Sequence, residues 1–440
     1  MNASAVPFVE PTSAAASSPL KVLLISLFHP EIVRGGSQQI CYELFEGLKE
    51  TPGIRPTLLA SVDSASTALY KSGARITGFD GREGEFLFLS QEYDYWWHRT
   101  SSPALLETYS DFLRLLAPDV VHFHHFLTFG VELITLTKRV LPNTRIVFTF
   151  HEFMAICAAD GHMVRRHDGS LCARASPVRC HQCFPEILPE QFFVRDLWMK
   201  RHFANVDVFT TPSNFMIKHY TDWGIDPNRI FQVSNVQKNR GPGTSSGIHA
   251  LHNRFGFFGQ LVDTKGLHVL IRAVEHLKAA EFKDFLVEIN GDNIRYSSEV
   301  NRNEILEYLE REKQKPVAQQ NVVFNGSYQV DQLAGRMNRV DWVVVPSIWW
   351  EAFGLVISEA WMFGKPVIVS DVGGPKERVR NEVDGLQFQM GDHRSLADTI
   401  RRACTEEGLW QRLHEGISAA PKRNAMVGQY LDLYRAGNAS

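Results

Sequence analysis

Short apolar runs alternate with helical patterns along almost the whole chain, and one Gly-, Pro- and Ser-rich stretch interrupts them. Residues 21–26, 120–124, 145–150, 206–210 and 230–233 read as buried strands, with helices at 38–48, 105–116 and 192–203. Alternation of this kind requires a parallel sheet covered by helices on both faces. Residues 238–247 (Lys-Asn-Arg-Gly-Pro-Gly-Thr-Ser-Ser-Gly) break the pattern and read as a linker. A second series follows, with strands at 254–258, 285–290, 322–325, 341–345 and 366–370. The expectation is an α/β protein of two doubly wound parallel-sheet domains facing a cleft, with ligand at the carboxyl ends of the strands.

A length of 440 residues suffices for two such domains, and 44% hydrophobic residues fits a globular chain. Basic and acidic residues nearly cancel, 46 against 49, which argues against nucleic acid as a partner. No apolar run approaches the ~20 residues of a membrane-spanning helix. The N-terminus lacks a basic region followed by an apolar core, so no secretory signal is expected, and the default is a cytoplasmic enzyme. Residues 1–19, rich in Ala, Ser, Pro and Thr, read as a disordered tail.

The densest chemistry lies between Asp341 and Pro366. A buried strand ends, a loop bearing Glu351 turns, and a helix starts near Gly354 and stops at Gly364-Lys365-Pro366. Free N–H groups at such a helix start attract phosphate, and Gly354 lets a ligand approach the backbone. Glu359, separated from Glu351 by seven residues, lies one turn in, where a carboxylate could accept from ribose hydroxyls. Two solvated surface glutamates are the bland alternative. Lys265, in the loop 259–266 after another strand, can reach a diphosphate as a point charge.

The glutamate pair around Phe353-Gly354-Leu355 resembles the signature of family 4 retaining glycosyltransferases, which have the GT-B fold. Further motifs follow in the expected order, from Lys21 to Met426. They are Gly35-Gly36-Ser37, Phe148 to Glu152, Pro212-Ser213-Asn214 with Val233-Ser234-Asn235, Phe258 to Gly266, Asp371 to Glu377, and Asp384-Gly385-Leu386. The resemblance implies an acceptor-side domain at 20–237, a linker at 238–250, and a nucleotide-sugar-binding domain at 251–426. A last helix, 427–440, would cross back to the N-terminal domain. Glu351 would contact the donor sugar or assist its leaving phosphate, and His151 would hydrogen-bond the transferred sugar. Glu359 would hold the ribose, with Phe353, Gly354 and Leu355 at the diphosphate. Gly35 and Gly36 would offer further N–H groups. Where most members place an arginine this chain has Gln260, which implies weaker diphosphate binding, with more of the load on Lys265.

Four of the six cysteines cluster as Cys157, Cys172, Cys180 and Cys183, the last two with zinc-knuckle spacing. Four thiolates would close a tetrahedral structural zinc site in a loop-rich segment unable to bury much core. Unliganded thiols, or pairs oxidised on isolation, are the competing reading. The resemblance extends to a family subset with a cysteine-bearing insert at this place, here 157–183, beside His151 and shaping the acceptor pocket. His122 and His124 share a strand face and are expected to line the cleft toward the acceptor. Phe192, Phe193 and Trp198, with Arg195, Lys200 and Arg201, would either pack in the core or meet a membrane surface and lipid phosphates.

The function implied is a retaining hexosyltransferase that moves a sugar from a nucleoside-diphosphate sugar, its co-substrate, to a hydroxyl of a glycan or lipid-linked acceptor. The setting implied is cell-surface polysaccharide or glycolipid synthesis at the inner membrane face. No Asp-x-Asp stands at a strand end, so no catalytic metal is expected. A catalytically weakened nucleotide-sugar-binding protein and a GT-B nucleotide-sugar epimerase are the alternatives.

Overall fold

The computed structural model describes residues 18–62, 74–79, 81–89, 93–100, 102–238, 251–418 and 421–436. Most of the expected tail and nearly all of the expected linker lie outside these residues. Among the described residues, eight strands form one sheet, in the spatial order Ile230–Gln232, Val208–Thr211, Arg145–Thr149, Val120–Phe123, Leu20–Ser26, Ile54–Ser61, Glu85–Phe88, Ile76–Gly78. All neighbours run parallel except the last pair. Six more strands form a fully parallel second sheet: Val322–Gly326, Leu286–Asn290, Arg254–Phe258, Trp342–Val345, Val367–Ser370, Gly385–Phe388.

Each sheet carries apolar side chains on both faces, as a sheet covered by crossover helices must. Phe123, Phe148 and Phe150 pack with Tyr109, Met199 and Phe203 on one side of the first sheet. Val22, Leu24 and Val147 pack on the other with Ile40 and Leu44 of the helix Gly36–Lys49. Leu267, Leu270 and Ile271 of the helix Leu267–Ala279 cover one face of the second sheet, and Ile357 and Ala360 of the helix Leu355–Met362 cover the other.

The helix Arg423–Arg435 belongs to the core of the first sheet although it follows the second in sequence. Met426, Val427, Tyr430 and Tyr434 are buried there. The Tyr434 hydroxyl meets His122 Nδ1 at 2.7 Å, and Arg145 Nε donates to the Leu433 carbonyl at 2.8 Å. Gly47 permits the approach, since a Cβ on it would stand 2.5 Å from Val427 Cγ2.

Candidate active site

Two loops of the second sheet meet at its carboxyl edge. The loop after Arg254–Phe258 is strapped to the end of the neighbouring strand: Gly259 N–H donates to Asn290 O at 3.0 Å and Leu261 N–H to Asp292 O at 2.7 Å. It ends in a single turn, Asp263–Lys265, and Gly266 at φ +72° leads into the helix Leu267–Ala279. The loop after Trp342–Val345 lies against it, with Ile348 N–H donating to Thr264 O at 2.9 Å.

Glu351 sits in that second loop, 8% exposed. Its Oε2 accepts from Lys265 Nζ at 2.7 Å, Trp349 Nε1 at 3.0 Å and Ser347 Oγ at 3.1 Å. Burial pushes the carboxyl up; the Lys265 charge and these three donors outweigh it and hold Glu351 below the ordinary carboxylate range. The site therefore keeps an anion and a cation in contact.

The helix Leu355–Met362 opens at Gly354, whose φ of +73° favours glycine. Beneath the turn lies Arg378, which donates to the carbonyls of Phe353 and Gly354, both at 2.9 Å, and to Ser358 Oγ at 2.7 Å. Its guanidinium stacks 3.5 Å from the centre of the Phe353 ring, so that ring is packing and only the backbone of Phe353 borders the helix start. Burial lowers the Arg378 pKa to about 9, opposed by Asp384 and Glu377, so it remains a cation at neutral pH. Glu359 accepts from Gln237 Nε2 at 3.0 Å, at the end of the first half.

The first half closes over this edge. Trp350 and Ala352, on either side of Glu351, pack against the core that contains Phe150 and Phe153, which bracket His151 and Glu152. Ser213 Oγ donates to Ala352 O at 2.7 Å, and Glu377 accepts from the backbone of Asn214 and Phe215, both at 2.8 Å. A Cβ on Gly36 would stand 3.3 Å from Leu355 Cδ1, so the start of the first helix faces that of the helix Leu355–Met362. Gly35 is the N-cap of the Gly36–Lys49 helix.

His151 lies two residues past the end of the strand Arg145–Thr149 and pairs through Nε2 with His124 Nδ1 at 3.0 Å. Burial and the neighbouring His125 push its pKa down to about 3, leaving a neutral ring able to donate or accept. His122 does not line the cleft as the shared strand face suggested. It is fully buried between Tyr434 and Thr149 Oγ1, each at 2.7 Å, because the last helix covers that part of the sheet.

The structure thus joins Lys265 to Glu351, brings Gly36 to Leu355, and leaves Gln260 exposed. The sequence reading missed Ser347, Trp349, Gln237 and Arg378. Trp349 and Ser347 stood within four residues of Glu351, and their donors were a usable signal. Arg378 gave none, since an arginine in Gly-Gly-Pro-Lys-Glu-Arg reads as solvated. Of the aromatic and basic residues of the helix Pro189–Phe203, Phe192 and Arg195 are buried and Trp198 donates to Trp97 O at 2.8 Å. Phe193, Val194 and Leu197 are exposed.

The segment 157–183 flanks Glu351 from the first half: His162 meets the Trp349 ring edge-on at 5.4 Å, and Trp350 Nε1 donates to Cys172 O at 3.2 Å. A cavity of about 280 Å³ adjoins it, lined among others by Arg174, Arg195, Lys200, His219 and Trp223. His219 lies 5.0 Å from the Trp350 ring, which connects this cavity to the Glu351 loop. No helix among the described residues is long and apolar enough to cross a membrane.

Comparison with known proteins follows the same division. Residues 34–236 match the model described as Glycosyltransferase Family 4, and residues 245–423 the one described as Glycosyl transferases group 1. An uncharacterized glycosyltransferase of Methanocaldococcus jannaschii is 31% identical over 206 residues, 46% of this chain and 48% of that protein. A D-inositol 3-phosphate glycosyltransferase of Xylanimonas cellulosilytica is 29% identical over 205 residues, 44% of this chain and 46% of that protein. These matches span about half the length of the relatives. The crystal structure of Anabaena HepE in complex with UDP superposes at a TM-score of 0.65 with 15% identity, over 94% of this chain and 99% of that one. At such identity the likeness is one of fold, and the fold is GT-B.

Proposed function

The chain belongs to the glycosyltransferases that these two models describe, and on that premise we propose that it transfers a hexose from a nucleoside-diphosphate sugar to an acceptor hydroxyl with retained anomeric configuration. One observation carries the reading: Lys265, Glu351 and the Gly354 helix start share one loop edge, closed against the half that bears His151. Charge growing on the leaving diphosphate is stabilised by Lys265 and the backbone N–H groups at Gly354 and Leu355. Glu351 faces the donor sugar and orients Lys265, Glu359 takes the ribose, and His151 hydrogen-bonds the transferred sugar. The leaving phosphate deprotonates the acceptor on the same face, without a covalent glycosyl-enzyme and without a catalytic metal.

The acceptor enters beside the cysteine-bearing insert, where the 280 Å³ cavity is lined by Arg174 and Lys200. A glycan or lipid-linked acceptor fits a cavity that sets Arg174, Arg195 and Lys200 among Ile156, Phe192 and Trp223, and the exposed Phe193, Val194 and Leu197 suit a protein working peripherally at the inner membrane face. Cell-surface polysaccharide or glycolipid synthesis in the cytoplasm is the corresponding setting.

Thermal-shift measurements with a panel of sugar nucleotides, UDP-sugars first because HepE holds UDP, test the donor. Stabilisation by one of them together with its slow hydrolysis or transfer is expected. No shift with any donor at millimolar concentration overturns the reading. Stabilisation without turnover would favour a binding protein with weakened catalysis, the reading that the exposed Gln260 supports. Gln260→Arg is accordingly expected to tighten nucleoside-diphosphate binding about 3–30-fold in calorimetry, by trading a neutral donor for a charged fork.

A further inference from the structure

Cys157, Cys172, Cys180 and Cys183 line one cavity of about 30 Å³. None forms a disulfide. Local geometry explains how the chain delivers them. Cys157 closes a turn, its N–H donating to Phe153 O at 2.8 Å. A short hairpin, with Val164 paired to Leu171 and Gly169 at φ +68° in its tip, returns the chain so that Cys172 N–H donates to Met163 O at 2.7 Å. Ser176 then caps the helix Pro177–Cys183, which presents Cys180 and Cys183 at the i, i+3 spacing that shares a face.

Met163 anchors the segment in the first core, but its C-terminal part has little such support. The helix Pro177–Cys183 has no buried residue, and so short a helix is not stable alone. Next to it, Arg195 is 3% exposed and shares a cavity wall with Cys180. Its guanidinium donates only to carbonyls, those of Trp96, Met154 and Ala155, and it makes no ion pair among the described residues. A buried cation without a counter-charge is costly. Four thiolates around one divalent ion carry two net negative charges and supply it.

We infer that the four sulfurs bind one thiophilic divalent metal ion, zinc by its preference for closed tetrahedral thiolate sites, and that the metal-held segment positions the Glu351 loop. On binding, each thiol releases its proton to solvent and each sulfur donates a pair to the ion. Among the described residues no group of three or more His, Cys, Asp or Glu side chains stands where it could hold a metal ion, so occupancy requires the four sulfurs to move from their positions here to Zn–S distances of about 2.3 Å. Such a movement would be felt at Cys172, whose carbonyl accepts from Trp350, and in the loop carrying His162, whose ring meets Trp349. Those two indoles sit immediately before Glu351. The positioning role rests on the glycosyl-transfer reading; the metal site does not.

The test uses the full chain. Elemental analysis of protein purified without chelator is expected to give about one zinc per chain, and cobalt(II) reconstitution the intense visible bands of tetrahedral thiolate coordination. Cys180→Ser with Cys183→Ser is expected to lose both signals. Trp350→Phe is expected to keep the metal and the nucleotide affinity while turnover falls about 10- to 100-fold, as a shifted catalytic loop predicts. A reconstituted wild-type chain without zinc or thiolate–cobalt bands overturns the site, whatever the variants do. Unchanged turnover in Trp350→Phe overturns the positioning role. Zinc in a chain inactive with every donor leaves the metal site standing and removes the transferase reading instead.

Discussion

Glu351→Gln leaves a folded protein that binds sugar nucleotide and turns over roughly 10²–10³-fold more slowly. The amide keeps the shape and still accepts from Ser347 and Trp349, so the loop should hold. What it loses is the charge that fixes Lys265 at 2.7 Å. Lys265 is 30% exposed and can turn to water, which limits the stability cost to about 1 kcal/mol. The pH dependence has a definite sign. Glu351 is depressed in the folded state, so its contribution to stability is full above the unfolded carboxylate value of about 4.3 and is lost as pH falls through the folded value. The variant should therefore show a flatter acid limb in thermal unfolding below about pH 4.3, the unfolded carboxylate value. Steady-state kinetics decide the main point: wild-type turnover by Glu351→Gln removes this carboxylate from the mechanism.

Not all of the architecture was equally legible. Trp342–Val345 and Val367–Ser370 are central, enclosed on both faces, and announce themselves as continuous apolar runs. Ile54–Ser61 does not: it contains Arg55 and Pro56 and is only half enclosed, so its sequence resembles a loop. Glu85–Phe88 and Ile76–Gly78 are short strands at the sheet edge, too brief for a period to show. Gly385–Phe388 was visible only as a motif, since its pairing with Val367–Ser370 is a tertiary fact.

The site divides in the same way. Glu351, Glu359 and Gly354 lie within one strand–loop–helix unit, whose local spacing drew attention to them; the ordered motifs of the family resemblance were needed to prefer them over solvated surface glutamates. The Lys265–Glu351 pair joins positions 86 residues apart, and nothing local specifies it. Arg378 is a sharper case. Whether an arginine is solvated or buried under a helix start depends on the packing of the Gly373–Arg378 helix against the Phe353 turn, which the sequence window does not contain. The four cysteines were grouped by spacing. Their delivery to one cavity, and its attachment to Trp350, required the fold.

The close approach of the two loops depends on a missing side chain, and Gly266→Ala should be among the most damaging small substitutions in the second half. A Cβ there would lie 1.8 Å from the Pro346 carbonyl oxygen and 2.8 Å from its carbon, both rigid backbone. The residue also holds φ +72°, which costs an L-residue about 1–2 kcal/mol. Relief of the clash requires the Asp263–Lys265 turn to lift away from Pro346, breaking the Ile348–Thr264 hydrogen bond and withdrawing Lys265 from Glu351. A loss above about 4 kcal/mol, or failure to fold the second half, is expected. Gly408→Ala separates the two causes, because Gly408 has nearly the same φ, +71°, with no atom within 4 Å of the added Cβ. It should cost only about 1 kcal/mol and leave nucleotide-sugar affinity intact. Thermal unfolding and donor titration of both variants make the comparison. Equal shifts in the two would mean that backbone strain alone, and not the seating of Lys265 against the Glu351 loop, gives this glycine its weight.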